Sequence, residues 1–310
     1  MTTTPAAVVE PSPIDAATAA YEHTRRLLFP FRFERWLALG LVAFLDQCGR
    51  GGIGGSVPGG GGGPGGWPGG RGGSGTSGAG PFADIGAWMG QHVALVAGLA
   101  ALVIALIVAF MALVLWVNSR ATFVYIDNVA TGRTEIGAPW RAHAERARSY
   151  FAWRFALALG VMVAARSLIA LAVGAVVTLS AKPYLMAAAL LVLVPLLVAV
   201  IVAAALLSLA LRDFAAPIQI AANVGCGTAM RMTVALVRRH PLAFFLYVAL
   251  KVVFGLVQGT LLLFAACVTC CCILIPVVTQ TFLQPLFFFE RAWPLYLLRQ
   301  MGYDLLTEEA

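Results

Sequence analysis

The chain has 310 residues, of which 60% are hydrophobic and only 11% charged, and its formal net charge is +7. Water-soluble domains carry roughly 25% charged residues, and a globule of this length must still cover its surface with polar groups. These values exclude an ordinary water-soluble domain and indicate that lipid surrounds most of the chain. The positive charge is expected in such a protein, because cytoplasmic loops retain basic residues.

The first 34 residues predict a cytoplasmic N-terminus with one amphipathic helix. The segment 12–15, Ser-Pro-Ile-Asp, is a typical helix start, with serine as the cap, proline in the first turn and an acid at the third position. Four apolar residues then fall roughly on one face: Ile14, Ala17, Tyr21 and Leu28. We expect this helix to lie in the membrane interface ahead of the first span.

Apolar segments follow along residues 35–297, the predicted membrane domain. A span needs about 20 apolar residues, since a rise of 1.5 Å per residue must cover roughly 30 Å of hydrocarbon. The candidate spans are residues 36–47, 85–119, 151–181, 183–211, 241–266 and 273–293. The first is short by this measure, and its length alone is typical of a re-entrant or interfacial segment.

The distribution of basic residues favours six spans. If residues 36–47 cross the membrane, most of the 21 basic residues lie on the cytoplasmic side; if they do not, the N-terminal arginines and the loop 118–150 lie on opposite sides. The loops 118–150 and 212–240 and the tail 298–310 are then cytoplasmic. A glycine-rich loop, 49–80, is extracytoplasmic. The predicted fold is an all-α, multi-pass bundle of about six spans in the bacterial cytoplasmic (inner) membrane, with both termini in the cytoplasm.

Polar side chains within the spans are the candidates for an intramembrane site. A charge at membrane depth costs at least about 2.5–3.5 kcal/mol unless it is paired or hydrated. The candidates are Asp46, Arg166, Lys251, Gln258, Gln280 and Gln284. Two interpretations remain open: a polar cavity for an anionic substrate or lipid headgroup, or a buried ion pair with interhelical hydrogen bonds that hold the bundle together.

The loop 118–150 predicts a basic cytoplasmic face. Its arginines are Arg120, Arg133, Arg141, Arg146 and Arg148. They could anchor the chain against anionic lipid headgroups, or they could bind a cytoplasmic or membrane protein partner. Nucleic acid is not expected as a partner, because no groove-reading or aromatic-interleaved motif accompanies the charge.

No pattern typical of catalysis, of a metal or of a cofactor stands out. HExxH and GxSxG motifs are absent, and the GxGxxG spacing in the glycine-rich tract lacks the strand and helix that nucleotide binding needs. Cys267, Cys270, Cys271 and Cys272 include a CxxC, but no second ligand pair for zinc accompanies it. Packing at a helix end is the alternative interpretation. We expect no enzyme activity, no cofactor and no bound metal.

Several short motifs carry a family resemblance. They are Leu28-Phe29-Pro30-Phe31-Arg32, Arg35-Trp36, Phe123–Asp127, Trp153-Arg154, Asp213-Phe214 with Pro217, and Pro241 with Phe244 and Tyr247. Together they resemble uncharacterised bacterial multi-pass membrane proteins with a domain of unknown function. More distantly, they are similar to the membrane domain attached to some glycerophosphodiester phosphodiesterases. The catalytic barrel of those enzymes is a separate soluble domain, and the resemblance implies no catalytic residue here.

The sequence therefore predicts a structural or accessory scaffold that binds a partner through its basic cytoplasmic face and contacts membrane lipids. The alternative is a carrier or lipid-handling protein that binds an anionic group inside the bundle.

Overall fold

A computed structural model describes residues 10–47, 92–268 and 277–306, and all regular structure in these ranges is helical. The helices are α1 (Pro13–Leu28), α2 (Phe33–Gln47), α3 (Val93–Thr131), α4 (Gly137–Ala142), α5 (Ala144–Thr178), α6 (Pro183–Ala210), α7 (Ala216–Ala222), α8 (Cys226–Arg239), α9 (Pro241–Val268), α10 (Val278–Phe282) and α11 (Gln284–Gln300). A π-helical turn, Leu211–Ala215, joins α6 to α7. The all-α prediction is confirmed. The glycine-rich loop 49–80 and most of the CxxC segment lie outside the described residues.

Among the described residues, four helices are long and apolar enough to cross a membrane. They are Val93–Thr131, Ala144–Thr178, Pro183–Ala222 and Pro241–Ala265, and at most 11% of the most apolar window of each is buried. Exposed apolar surface of this length is typical of helices that contact lipid. In α5 and α6 no residue between 162 and 203 is buried, although the two helices pack against each other. We call residues 162–203 the exposed hairpin.

The prediction of six spans is not confirmed. Helix α2 has 15 residues, which gives about 22 Å at 1.5 Å per residue, and it lies along the polar end of α3. The Asn118 amide donates to the Leu45 carbonyl over 2.9 Å, and Arg35 donates to the Gly132 carbonyl. The six-span topology put Asn118 at the cytoplasmic end of one span and Asp46 near the opposite end of another. The contacts do not fit that arrangement.

Helix α1 packs against α11 through a face that differs from the apolar face predicted for the membrane interface. Its Ser12 cap is as expected, since the hydroxyl accepts from the Asp15 amide. The buried residues are Pro13, Ala16, Ala20, Thr24 and Leu28; the last four recur every four residues, and the small side chains of Ala16, Ala20 and Thr24 allow close packing. Ile14 and Tyr21 are exposed. An interfacial position of α1 is not confirmed.

The buried residues gather where the short helices meet the ends of the long ones. We call this region the packed core; it comprises the buried residues of α1, α2, α3 beyond Leu115, the first turns of α5 and α9, the segment 204–236, and α11. Helices α2 and α10 meet closely there. A Cβ built on Gly40 would lie 2.4 Å from Thr281 Oγ1 and 2.9 Å from Thr281 Cα. Only glycine permits this approach of two backbones.

Candidate functional site: a buried charge cluster

Six ionisable side chains from four parts of the chain meet inside the packed core. They are Asp46 of α2, Arg212 and Asp213 of the π-helical turn, Lys251 of α9, and Glu290 and Arg291 of α11. None of these side chains is more than 11% exposed. Three are acidic and three are basic, so the group is formally neutral. We call it the charge cluster.

Asp46 binds both arginines of the cluster. Its Oδ2 accepts from Arg291 over 2.6 Å and from Arg212 over 3.2 Å, while its Oδ1 accepts from the Thr122 hydroxyl over 2.6 Å. Arg291 also donates to the Arg212 carbonyl over 3.2 Å and lies over the Tyr125 ring. Asp46 therefore links α2, α3, α11 and the π-helical turn.

The second half of the cluster continues the alternation of charge. Arg212 donates to Glu290 over 2.7 Å, and Lys251 Nζ lies 3.6 Å from the same carboxylate and 3.0 Å from Asp213. The Tyr247 hydroxyl donates to Asp213 over 2.8 Å. Each of these four charged side chains lies within 4 Å of opposite charges on at least two other side chains. Such pairing is the condition under which buried charges are tolerated.

The π-helical turn explains how two neighbouring residues both reach the cluster. Pro217 has no N–H to donate to the carbonyl of Asp213, four residues earlier, which is where an α-helix would place a hydrogen bond. A wider turn at this point accommodates that loss. Arg212 and Asp213 are 8% and 1% exposed, respectively, so both side chains are turned into the core.

Some of the polar residues predicted as an intramembrane site lie in or near the cluster. Asp46 and Lys251 belong to it and are joined through Arg212 and Glu290. Gln284 is buried and donates to the Tyr125 hydroxyl over 3.3 Å, which places it beside Arg291.

The other predicted site residues lie elsewhere. Gln280 donates to Gln47 over 3.4 Å, where α10 meets the end of α2. Arg166 is exposed on the hairpin, and Gln258 is half-buried further along α9.

Four residues of the cluster were not among the predicted site residues: Arg212, Asp213, Glu290 and Arg291. The sequence interpretation placed Arg212 and Arg291 on the cytoplasmic side as topology signals. The sequence does contain one indication of these residues. Arg212-Asp213 and Glu290-Arg291 each place an acid next to a base at the edge of an apolar segment. An acid next to a base adds little net charge to a loop. Inside a protein, such a pair can form an ion pair with a buried side chain of either charge.

The predicted basic face is divided by the fold. Arg120 stacks on Trp116 and Trp140, at 5.1 and 5.5 Å from the ring centroids. Arg146 donates to Asn223 over 2.5 Å and contacts His143. The side chains of these two arginines are therefore engaged in contacts within the protein. The other three, Arg133, Arg141 and Arg148, are exposed.

Helix α8 adds exposed arginines next to this face. Its first residue, Cys226, donates its backbone N–H to the Ser149 hydroxyl of α5 over 3.1 Å. Its exposed arginines are Arg231, Arg238 and Arg239. Cys226 itself is buried, and burial raises the pKa of its thiol to about 12, so it stays protonated at neutral pH and is a poor nucleophile. In the described ranges no three His, Cys, Asp or Glu side chains are grouped to hold a metal.

In the described part of the chain, helical structure with four long exposed apolar helices is typical of a membrane protein. The chain belongs to a family of unknown function, DUF7544, which matches residues 11–302. This agrees with the resemblance to uncharacterised membrane proteins, while nothing supports the resemblance to the phosphodiesterase membrane domain. No protein of curated function matches the chain, and no solved structure matches it.

Proposed function

We propose that this protein is a membrane-embedded scaffold. Helices α3, α5, α6 and α9 hold it in the bacterial cytoplasmic membrane, and the packed core presents a basic surface to a protein partner on the cytoplasmic side. The observation that carries this proposal is the sorting of the arginines. Those inside the core are neutralised by carboxylates, whereas those on the surface of α4, α5 and α8 are exposed.

The proposed docking surface consists of Arg141, Arg148, Arg231, Arg238 and Arg239. Helix α8 packs against α5, and the indole of Trp153 lies 3.5 Å from a Cβ built on Gly227. This close packing supports one surface made by both helices. Exposed arginines bind carboxylates and phosphates in two-pronged fashion, so the expected partner is an acidic protein segment.

The same geometry disfavours a carrier for an anionic group. Such a site needs uncompensated positive charge, and the three cationic side chains of the cluster face three carboxylates. Arg166, the fourth candidate cation, is exposed on the hairpin. The buried polar residues therefore support the interpretation as an ion-pair network that holds helices together.

The orientation that we propose is supported by contacts between the N-terminal and C-terminal segments. The Ser12 amide donates to Gln300 over 2.7 Å, and the Trp293 indole donates to the Pro13 carbonyl over 2.8 Å. These contacts support both termini lying on one side of the membrane. The positive-inside rule favours the cytoplasm for that side. We propose that α3, α5, α6 and α9 are embedded in the membrane, with the packed core at their cytoplasmic ends.

Thiol labelling tests the arrangement. In a variant without the six native cysteines, Ser180→Cys at the turn of the exposed hairpin and Ala235→Cys on α8 are both exposed positions. We expect an impermeant maleimide to label residue 180 only from outside intact spheroplasts and residue 235 only after lysis. Labelling of both residues from the same side would contradict the proposed hairpin.

Site-specific photocross-linking tests the scaffold role. A photoreactive amino acid at Ala235 lies among the docking arginines, and the same amino acid at Ser180 is the matched control. We expect a discrete cross-linked product from residue 235 that disappears when Arg231, Arg238 and Arg239 are changed to Glu. A product that survives the charge reversal, or no product in the native host, would contradict docking through these arginines.

A further inference from the structure

The corner between α1 and α2 exposes three phenylalanines within five residues. Phe29, Phe31 and Phe33 are 53%, 56% and 60% exposed, respectively. Apolar surface costs about 25 cal/mol per Å² in contact with water, so a group of three exposed rings is unfavourable unless something apolar covers it. We call these three residues the aromatic corner.

The aromatic corner is held in this shape from beneath. The Trp36 indole is buried and donates to the Leu28 carbonyl over 3.2 Å. Its ring makes edge contacts with Phe31 at 4.7 Å and with Phe29 at 6.0 Å between centroids. Phe29 and Phe31 are therefore held in place by Trp36, and they cannot reach the core without breaking these contacts. Their exposure is part of the fold.

An apolar stripe on α2 continues from the aromatic corner. Leu37 and Leu41 are 44% and 40% exposed and follow Phe33 at a spacing of four residues, which places all three on one helix face. The opposite face carries Leu39 and Ala43, which are buried in the packed core. Helix α2 thus has one face on protein and one apolar face uncovered. Such a helix fits the boundary of a bilayer.

Exposed arginines flank the aromatic corner in the sequence. Arg25 and Arg26 end α1, and Arg32 precedes α2; all three are exposed. Two exposed carboxylates, Glu22 and Glu34, lie close by in sequence. Exposed aromatic rings bordered by arginine are typical of the headgroup layer, where rings insert and guanidinium groups bind lipid phosphates.

We propose that the aromatic corner inserts into the headgroup layer of the cytoplasmic leaflet, with Arg25, Arg26 and Arg32 bound to lipid phosphates. Helix α2 then lies in the interface, with the stripe of Phe33, Leu37 and Leu41 against the acyl chains. This inference rests on the proposed embedding of α5 and α6 in the membrane, and the experiment below separates the two.

Single cysteines carrying an environment-sensitive fluorophore test the insertion. They are placed at Phe31, at Leu171 in the exposed hairpin, and at Glu22 on the polar side of α1, in the full chain without native cysteines. The protein is reconstituted into vesicles of equal parts phosphatidylcholine and phosphatidylglycerol, with and without brominated acyl chains. We expect blue-shifted emission and strong quenching at residues 31 and 171, and neither at residue 22.

The outcomes are distinct. Quenching at residue 171 with water-like emission at residue 31 overturns the lipid contact of the corner and leaves the embedding intact. Loss of quenching at residue 171 overturns the embedding itself. Changing Arg25, Arg26 and Arg32 together to Gln should reduce quenching at residue 31 and leave residue 171 unchanged. Equal quenching at residue 31 in that variant overturns the role of the arginines.

Discussion

The packed core and the exposed hairpin share helices α5 and α6 yet are built in opposite ways. In the hairpin, large apolar side chains point outward; Val177 and Leu191 are 69% and 76% exposed. In the core, charged side chains point inward, and Arg291 is completely buried. A water-soluble protein would reverse both arrangements. The two regions therefore suit different surroundings, which are lipid for the hairpin and protein for the charged side chains.

The two regions also differ in what fixes their structure. Lipid is as apolar as leucine, so apolar side chains gain little when helices associate in a membrane. In the hairpin, little besides the shapes of the side chains selects which faces of the two helices pack together. In the core, each charge of the cluster demands an opposite charge at a defined distance, and a wrong packing would leave one unpaired at high cost. The core is therefore the region where single substitutions should matter most.

The largest effect is expected from breaking the charge cluster. Arg291→Met removes the 2.6 Å contact to Asp46 and leaves a buried carboxylate with excess negative charge around it. Loss of one partner of a buried ion pair costs about 3–5 kcal/mol. We expect a sharply lowered melting temperature in detergent, or failure to fold. Arg166→Met is the control, because Arg166 is exposed on the hairpin. Equal effects of the two changes would contradict a structural cluster.

A pair of leucines compares the regions directly. Leu298 in the core is 0% exposed and Leu191 in the hairpin is 76% exposed. Leu298→Ala should destabilise the protein by about 2–5 kcal/mol, because it leaves a cavity. Leu191→Ala should cost less than about 0.5 kcal/mol, because detergent or lipid fills the space. Thermal unfolding in the same detergent measures both. A costly Leu191→Ala would show that the hairpin face is covered by protein.

Substitutions of one glycine in the core and one in α5 are expected to change the stability by an intermediate amount. Gly40→Ala puts a methyl group 2.4 Å from Thr281 Oγ1, and forcing such an overlap in a core costs about 1–3 kcal/mol. Thr281→Ala should relieve only part of this cost, since the Thr281 Cα would still lie 2.9 Å away. Gly160 has no atom within 4 Å of its built Cβ, so Gly160→Ala should stabilise α5 by about 0.5–1 kcal/mol. Melting temperatures that move the same way would contradict the close packing of α2 on α10.

The smallest effect is a dependence of α1 docking on pH. Burial lowers the pKa of His23 below its ordinary value of 6.5, and repulsion from Arg26 adds to this, against the opposing effect of its contact with the Val129 carbonyl. The unfolded chain therefore takes up a proton as the pH falls through 6.5, while the folded chain resists it until the lower value is reached. Stability should decline over that window.

The variant His23→Gln should unfold with a weaker dependence on pH between 7 and 5 than the wild type, because the titrating group is gone. Melting temperatures across this range measure the slope. An unchanged slope would show that other groups set the acid sensitivity and that His23, packed against Phe288 and Tyr296, acts only through its contacts.

The class of the protein and the approximate positions of its long helices could be predicted from the amino-acid sequence alone. The four apolar helices overlap four of the predicted segments, although some extend beyond the predicted ends. Such overlap is expected because a run of apolar residues needs no partner to show that it prefers lipid. The Ser12 cap was also predictable, since the cap and the amide that it accepts from lie three residues apart. Asp46 and Lys251 stood out because a charge in an apolar segment is conspicuous without any structure.

Only the tertiary structure decided how the charges pair and where α2 lies. Asp46 and Arg291 are separated by 245 positions in the sequence, and no local pattern records which distant charges will meet. The sequence therefore placed Arg212 in a cytoplasmic loop, whereas in the structure a π-helical turn ahead of Pro217 directs its side chain into the core. The role of α2 depends on which of its faces the core covers. That is a property of the packed helices together and not of their separate sequences.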